Sequence, residues 1–306
     1  MKLATFARGN EIAVGVVEGE EIVDLSTADS RLPRDLVTLL EGGPAAFEAA
    51  LQATRRARRY PLTEIHLEAP VRTPRKFLGL GLSFKSHVAE LRAKGIPIAI
   101  PPHQVWFNKQ VTAVNGPYDP IHLPRSSSQL DYEGELAMVI GRRARHVHRT
   151  NAAAVIAGYV VCNDVSVRDW QLRSPTATLG KSFDTHGPIG PWLTTADEVG
   201  DPHHLRIRTW VDGELRQDGN TSDFIYSLGE MIEELSSVFT LEPGDILTTG
   251  CPAGVGALMD PPRFLTVGQS VRIEVEGLGH IENRVIDEPV EPTQSGLAGG
   301  GVAKRA

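Results

Sequence analysis

Two glutamates, Glu133 and Glu135, stand two residues apart at the start of an apolar run that ends at Gly141. Side chains alternate between the two faces of a β-strand, so both carboxylates are expected on one face. Two like charges on a buried strand would repel each other and lose hydration unless a cation or a proton joins them. For this pair alone, a solvated strand face is the more frequent explanation.

A third carboxylate, Asp164, ends a second apolar run that starts at Tyr159. Carboxylates without cysteine or histidine ligands suit a hard divalent ion, Mg²⁺ or Mn²⁺, rather than zinc. A divalent-metal site and a solvated strand face are therefore the two interpretations of these acidic residues.

His87 and Glu90 lie in a segment, residues 86–94, whose pattern predicts a helix. Residues three apart share a helix face, and a histidine held by a carboxylate can act as a general base near neutral pH. A surface pair without a catalytic role is the more common explanation of this spacing.

Two further clusters contain groups that could contact an anion. Lys181, in Gly180-Lys181-Ser182, could neutralise the carboxylates or stabilise an enolate, although a solvated lysine is the commoner case. The glycines around Cys251, in residues 249–256, would let backbone N–H groups approach an anionic substrate, or would simply form a tight turn.

Polar residues are also dense in residues 163–171, directly after a buried-looking strand, where loops often carry functional sites. Arg168 and Asp169 in this stretch are expected to pair with each other in a structural role. Common phosphate-binding signatures are absent, because Pro175 stands where a P-loop ending in Gly180-Lys181-Ser182 would need its earlier glycine.

These groups must be positioned by a chain of two parts. Residues 1–70 are predicted to form a small N-terminal α/β domain with hairpins in residues 2–23 followed by a helical stretch. Residues 71–288 contain short runs rich in Val and Ile between Gly and Pro turns, which favours a β-rich α+β domain over a doubly wound sheet. Residues 289–306 are predicted to form a flexible tail.

Composition limits the possible partners. The chain has 306 residues, with 31 Lys+Arg against 38 Asp+Glu and a net charge of -7, which disfavours nucleic acid and anionic membranes as partners. Two cysteines are too few for a disulfide framework and fit a reducing compartment. The chain shows no signal peptide and no membrane-spanning apolar stretch, so a cytoplasmic protein is expected.

Five motifs in a fixed order make the chain resemble the fumarylacetoacetate hydrolase family. They are Glu133-x-Glu135, Asn163-Asp164-Val165-Ser166, Gly180-Lys181-Ser182-Phe183-Asp184, Gly187-Pro188-Ile189-Gly190-Pro191-Trp192 and Thr249-Gly250-Cys251-Pro252-Ala253-Gly254-Val255-Gly256. The resemblance covers about residues 75–286. With it, the metal interpretation of the carboxylates outweighs the solvated strand face.

The resemblance implies a mixed β-sandwich roll fold, usually assembled as a homodimer. It also implies one Mg²⁺ or Mn²⁺ per subunit, held by Glu133, Glu135 and Asp164.

The same resemblance implies roles for the polar clusters. His87 and Glu90 match a catalytic dyad on a mobile segment that orders over bound substrate, and Lys181 matches a catalytic lysine near the metal. Gln171 and Thr249 fall in substrate-contacting motifs.

Two departures from the family pattern concern substrate choice. The family often shows Gly-x-Asn-Tyr where this chain has Gly81-Leu82-Ser83-Phe84, and Thr-Gly-Thr-Pro where it has Thr249-Gly250-Cys251-Pro252. Ser83 and Cys251 are therefore expected to lie near the substrate and to affect which substrate fits.

The leading functional hypothesis is hydrolytic C–C cleavage of a 2,4-dioxo acid, such as an acylpyruvate or a fumarylacetoacetate-like compound, through a metal-bound enolate. His87, oriented by Glu90, would activate water, and Lys181 would stabilise negative charge. The alternatives are an oxaloacetate-type decarboxylase, a 2-oxo acid tautomerase or isomerase, and a sugar-acid dehydratase. A metal-stabilised protein without catalysis is a further alternative.

Overall fold

The computed structural model of the protein describes residues 1–290. The tail predicted for residues 289–306 lies, apart from its first two residues, outside the described residues. The predicted β-rich α+β class is confirmed, because strands and helices are mixed along the chain and most elements are strands.

The strands are β1 (Lys2–Arg8), β2 (Glu11–Glu18), β3 (Glu21–Asp24), β4 (Arg58–Pro61), β5 (His66–Leu67), β6 (Phe77–Gly81), β7 (Val105–Lys109), β8 (Val114–Asn115), β9 (Ile121–Leu123), β10 (Leu130–Asp131), β11 (Gly134–Ile140), β12 (Ile156–Asn163), β13 (Ser166–Val167), β14 (Gly187–Thr195), β15 (Arg206–Val211), β16 (Glu214–Asn220), β17 (Ile246–Thr248), β18 (Ser270–Val275) and β19 (Gly279–Asp287). The α-helices are α1 (Leu36–Glu41), α2 (Gly43–Ala53), α3 (Lys85–Ala93), α4 (Arg168–Gln171), α5 (Ala196–Val199) and α6 (Leu228–Val238). Short 3-10 helices cover Leu25–Thr27, Leu62–Glu64, Val111–Ala113, Arg149–Val155, Thr178–Lys181, Thr221–Asp223 and Gly256–Leu258.

The largest sheet has 12 strands. Its order is β4-β3-β2-β1-β14-β12-β11-β17-β6-β7, with β5 beside β1 and β8 beside β14. The hairpins predicted for residues 2–23 are present as β1, β2 and β3. β1 also pairs with β14, where Lys2 lies opposite Thr194. The N-terminal strands therefore extend the sheet that carries the site, and the domain boundary at residue 70 stays a prediction.

A second sheet of five strands, in the order β16-β15-β18-β19-β9, packs against the first. β11 is buried on both faces, which explains why its sequence is a continuous apolar run. Leu136 and Met138 pack in one core with Ile273 of the second sheet. Ala137 and Val139 point to the other core, which contains the apolar residues of α1. Strand β11 is thus held rigidly from both sides.

The helix predicted for residues 86–94 is present as α3. α6 begins after Ser227, whose hydroxyl accepts from the Glu230 N–H while the Glu230 carboxylate accepts from the Ser227 N–H. This reciprocal capping box satisfies backbone donors at the helix start.

Arg149–Val155 forms a 3-10 helix. The ring of His148 accepts from the Thr150 N–H and so caps this segment. Within residues 1–290 no helix is long and apolar enough to cross a membrane.

Candidate active site

The ends of two neighbouring strands bring the three predicted carboxylates together. β11 and β12 are antiparallel, and the Asp164 N–H donates to the Glu133 carbonyl over 2.9 Å. Glu133, Glu135 and Asp164 are only 8%, 1% and 0% exposed. The solvated strand face is therefore the wrong interpretation, and the burial of three acidic groups needs a compensating charge.

Buried cations supply part of that charge. Lys181 Nζ lies 2.8 Å from Glu133 Oε2 and 2.6 Å from Asp164 Oδ2. Lys109 Nζ lies 2.6 Å from Asp164 Oδ1. Both lysines are 2% exposed, so Lys181 is not the solvated lysine that its sequence context favoured. The two oxygens of Asp164 are each bound by a different ammonium group.

Arg168 is a third cation at the site, and its predicted pairing with Asp169 is wrong. Its Nε lies 2.8 Å from Asp131 Oδ2 and its Nη1 lies 2.5 Å from Glu133 Oε1. Asp169 instead accepts from the Ser127 hydroxyl. Adjacent residues on a helix do not face each other, and Arg168 and Asp169 both lie in α4.

Asp131 is a buried acidic residue that sequence reasoning missed. It is 0% exposed and accepts from the Gly256 and Ala257 N–H groups, each over 2.9 Å, besides binding Arg168. Asp131 therefore links the Gly-rich segment 249–256 to the stretch between β10 and β11 that contains Glu133. Its alternation with Glu133 and Glu135 along the chain was the signal that could have found it.

The pKa values of Glu133 and Glu135 are shifted in opposite directions. Burial would raise the pKa of Glu133, but the charges of Lys181 and Arg168 outweigh burial and hold that pKa well below its ordinary value. Burial, followed by the charges of Asp164 and Glu133, raises the pKa of Glu135 well above its ordinary value. Glu135 is therefore the glutamate of the site whose charged form is the less compensated of the two.

The predicted dyad is formed and docks on the same Gly-rich segment. His87 Nδ1 lies 3.1 Å from Glu90 Oε2, and Glu90 Oε1 accepts from the Gly254 N–H over 3.0 Å. The His87 and Glu90 side chains are 16% and 19% exposed, so this is not a free surface pair. In its protonated form His87 also helps to lower the pKa of Glu133, after the larger effects of Lys181 and Arg168. Movement of this segment over a substrate stays a prediction.

Each of the four predicted substrate-binding residues belongs to or contacts the ion-pair cluster or the Gly-rich segment 249–256. Gln171 Oε1 accepts from Arg168 Nη1 over 3.0 Å. The Thr249 hydroxyl donates to a backbone carbonyl over 2.8 Å, and the Ser83 hydroxyl donates to the Thr249 carbonyl. Cys251 is buried beside the glutamates. Their contact with substrate stays a prediction.

The donor set fits a divalent cation. Ligand atoms of Glu133, Glu135 and Cys251 lie within 4.8 Å of one another. Glu135 Oε2 accepts from the Gly250 N–H over 2.8 Å, and the hydrogen bonds among residues 1–290 leave its other oxygen without a partner. A cation there would offset the repulsion that raises the pKa of Glu135. The predicted ligand set of Glu133, Glu135 and Asp164 stays a prediction.

Glu135→Gln is expected to stabilise the protein in EDTA by about 1 kcal/mol, because it replaces a carboxyl group whose charged form is disfavoured by burial and by two like charges with a neutral amide. It is also expected to abolish the rise in melting temperature on adding Mn²⁺. Glu133→Gln is the matched control and should destabilise the protein, because Lys181 and Arg168 would lose an anionic partner. Thermal unfolding of each variant with and without Mn²⁺ measures its stability and its response to metal. Equal changes in melting temperature for the two variants would contradict this charge distribution.

The fold is that of the fumarylacetoacetate hydrolase class of enzymes. A family model described as "Fumarylacetoacetate (FAA) hydrolase C-terminal" matches residues 76–286, and the chain belongs to this family.

Three similar proteins illustrate the range of the family. The chain is 40% identical over 272 residues to oxaloacetate tautomerase Fahd2a, a mitochondrial protein of Rattus norvegicus, covering 88% of this chain and 85% of that protein. Fumarylacetoacetate hydrolase from Exiguobacterium antarcticum superposes with a TM-score of 0.82 at 33% identity, over 94% of this chain and 100% of that one. Maleylpyruvate hydrolase from Sphingobium sp. SYK-6, in complex with manganese(II) and pyruvate, superposes with a TM-score of 0.76 at 35% identity, over 94% and 100%.

Proposed function

We propose that the protein is a divalent-metal-dependent tautomerase of a 2-oxo dicarboxylic acid, with oxaloacetate as the model substrate. The observation that carries the proposal is the His87–Glu90 pair, fixed on the segment 249–256 beside Glu133. Tautomerisation needs one group that removes a proton from carbon and delivers it to oxygen. It also needs positive charge where the enolate develops; we assign the first role to His87 and the second to Lys181 and Arg168.

His87 is the proton carrier in this proposal. Glu90 accepts at Nδ1, so Nδ1 bears the ring hydrogen and the lone pair of Nε2 is left to act as the base. Nε2 takes the proton from C3 of the keto acid, the C–H electron pair forms the C2–C3 double bond, and the π pair of the carbonyl moves onto the 2-oxo oxygen, which receives the proton. A bound Mg²⁺ or Mn²⁺ would supply Lewis-acid polarisation of the 2-oxo group.

Lys181 and Arg168 supply fixed positive charge to this reaction. An ammonium group has three N–H donors, and Lys181 uses two of them on Glu133 and Asp164. The third donor is left for an anionic substrate. Lys181 is buried and the Arg168 side chain is only 12% exposed, so their effect on a developing negative charge is stronger than it would be in water.

The second candidate is the C–C hydrolysis of a 2,4-dioxo acid, which is the leading hypothesis from the sequence. It is supported by the similarity to maleylpyruvate hydrolase with manganese(II) and pyruvate. The same His87 would activate water in place of removing a carbon-bound proton. We place it second because three relatives of 40–41% identity, each matched over 85% of its length, carry the name oxaloacetate tautomerase, against one relative of 40% identity that is named as a hydrolase.

One comparison separates the two candidates. Enol–keto interconversion of oxaloacetate is followed by ultraviolet absorbance, and pyruvate release from acetylpyruvate and oxaloacetate by a coupled assay, each with Mn²⁺ and with EDTA. The proposal expects metal-dependent interconversion of oxaloacetate with little pyruvate release. Faster release from acetylpyruvate would favour the hydrolase, release from oxaloacetate a decarboxylase, and inactivity in all assays would contradict both candidates.

We further infer a homodimer that takes a small 2-oxo acid as its partner. These inferences rest on the family and stay proposals. The cytoplasmic location expected from the sequence is also a proposal, and the rat relative is named as a mitochondrial protein.

A further inference from the structure

Cys251 is the least expected member of the carboxylate cluster. Its Sγ and the carboxylate oxygens of Glu133 and Glu135 converge within 4.8 Å, while the side chain is only 5% exposed. The hydrogen bonds among residues 1–290 include none to this thiol, and the Glu135 oxygen that could share an ion with it is also without a partner. A buried thiol and a buried carboxylate oxygen are thus both free to bind.

The backbone around Cys251 is held from both sides. The Gly250 N–H is bound to Glu135, and Gly250 has a φ of +86°, a conformation that favours glycine. On the other side, the buried Gln217 donates to the Pro252 carbonyl over 2.9 Å and accepts from the Gly134 N–H over 2.9 Å. Gln217 therefore links Gly134, which lies between the two glutamates, to Pro252, which follows Cys251. A side chain fixed in this way offers its sulfur with little loss of conformational entropy.

We propose that Cys251 is a metal ligand, so that this centre binds borderline or soft divalent ions, such as Co²⁺ or Zn²⁺, through Glu133, Glu135 and Cys251. This inference rests on the divalent-cation site of the proposed function. Hard ions such as Mg²⁺ prefer oxygen donors, whereas a thiolate favours softer ions. The S–metal bond forms as the thiol releases its proton to solvent. The family pattern usually has threonine at this position, so the sulfur donor is a feature of this chain.

The alternative is that Cys251 merely fills space. Burial, followed by the charges of Glu133 and Glu135, raises the pKa of the Cys251 thiol, and a neutral buried thiol packs like a small apolar side chain. A divalent ion reverses this balance, because it attracts the thiolate and offsets both carboxylates. The two explanations differ in whether sulfur contacts a bound metal.

Cobalt absorption tests the proposal on the full chain. Titration with Co²⁺ should produce a thiolate-to-cobalt charge-transfer band in the near ultraviolet, and Mn²⁺ should suppress it by competition for the same site. The band should survive in Cys162→Ser and be lost in Cys251→Ser. Cys162 is the matched control, because it is the only other cysteine in the sequence and is also buried. Co²⁺ affinity should fall about tenfold or more in Cys251→Ser, and Mn²⁺ affinity much less.

A band that persists in Cys251→Ser, or Co²⁺ binding by calorimetry without a band in the wild type, overturns the proposal. Should Cys251→Ser fail to fold, X-ray absorption of the zinc-loaded wild type decides alone. A sulfur neighbour at about 2.3 Å supports ligation, and an oxygen-only shell at about 2.0–2.2 Å refutes it. Mn²⁺-dependent turnover of the wild type without sulfur ligation would leave the proposed function intact and remove only this inference.

Discussion

His87→Ala is expected to lower kcat for oxaloacetate tautomerisation by about 10²–10⁴-fold, the usual contribution of a positioned acid–base group. His87 is the proton carrier, and Glu90 holds its Nδ1 at 3.1 Å. Mn²⁺ binding and the melting temperature should change little, because His87 forms no part of the buried ion-pair cluster. Steady-state kinetics and calorimetric Mn²⁺ titration measure the two effects separately.

Two matched variants make this result specific. Glu90→Gln should lower kcat less than His87→Ala, because it removes the anionic orienting partner and leaves the imidazole in place. His204→Ala should leave kcat unchanged, since His204 is exposed and pairs with Asp201 away from the site. If His87→Ala retains the wild-type kcat, His87 is not the base.

Lys181→Met is expected to damage both stability and catalysis. Lys181 is the shared cation of Glu133 and Asp164, at 2.8 Å and 2.6 Å. Breaking a buried ion pair leaves charge without a partner and typically costs about 3–5 kcal/mol of unfolding free energy. Removing a preorganised charge near a developing oxyanion lowers kcat by about 10²–10³-fold. Urea unfolding and steady-state kinetics measure the two losses.

The controls for Lys181 separate charge from packing. Lys181→Arg keeps the positive charge and should recover part of the stability, while its larger planar group still lowers kcat. Lys85→Met, on the exposed side of α3, should change neither quantity. Wild-type unfolding free energy and kcat in Lys181→Met would contradict the role assigned to this cation.

The parts of the site that could be predicted are those with a local signal. Glu133 and Glu135 stand out because two acidic residues share one strand face within an apolar run, and α3 is visible from its helical periodicity. Five motifs in sequence order then identify the family. Each of these observations depends on residues close together in the chain.

The parts that could not be predicted depend on long-range pairing. Lys109 is the last residue of β7. It reaches Asp164 only because β7 pairs with β6, β6 pairs in parallel with β17, and β17 pairs with β11. Arg168 turns toward Asp131 rather than its neighbour because the start of α4 faces the cluster. The N-terminal strands were predicted as hairpins, but their union with the large sheet requires Lys2 to pair with Thr194. No local pattern contains these relations.

The most direct test of the account is exchange of the C3 protons of oxaloacetate with D₂O, followed by proton NMR with Mg²⁺ and with EDTA. Metal-dependent removal of a C3 proton at this site predicts that the wild-type protein with Mg²⁺ accelerates exchange above the rate without protein. EDTA and His87→Ala should each abolish the acceleration. Exchange at the same rate with and without Mg²⁺-loaded protein would contradict the proposed proton transfer.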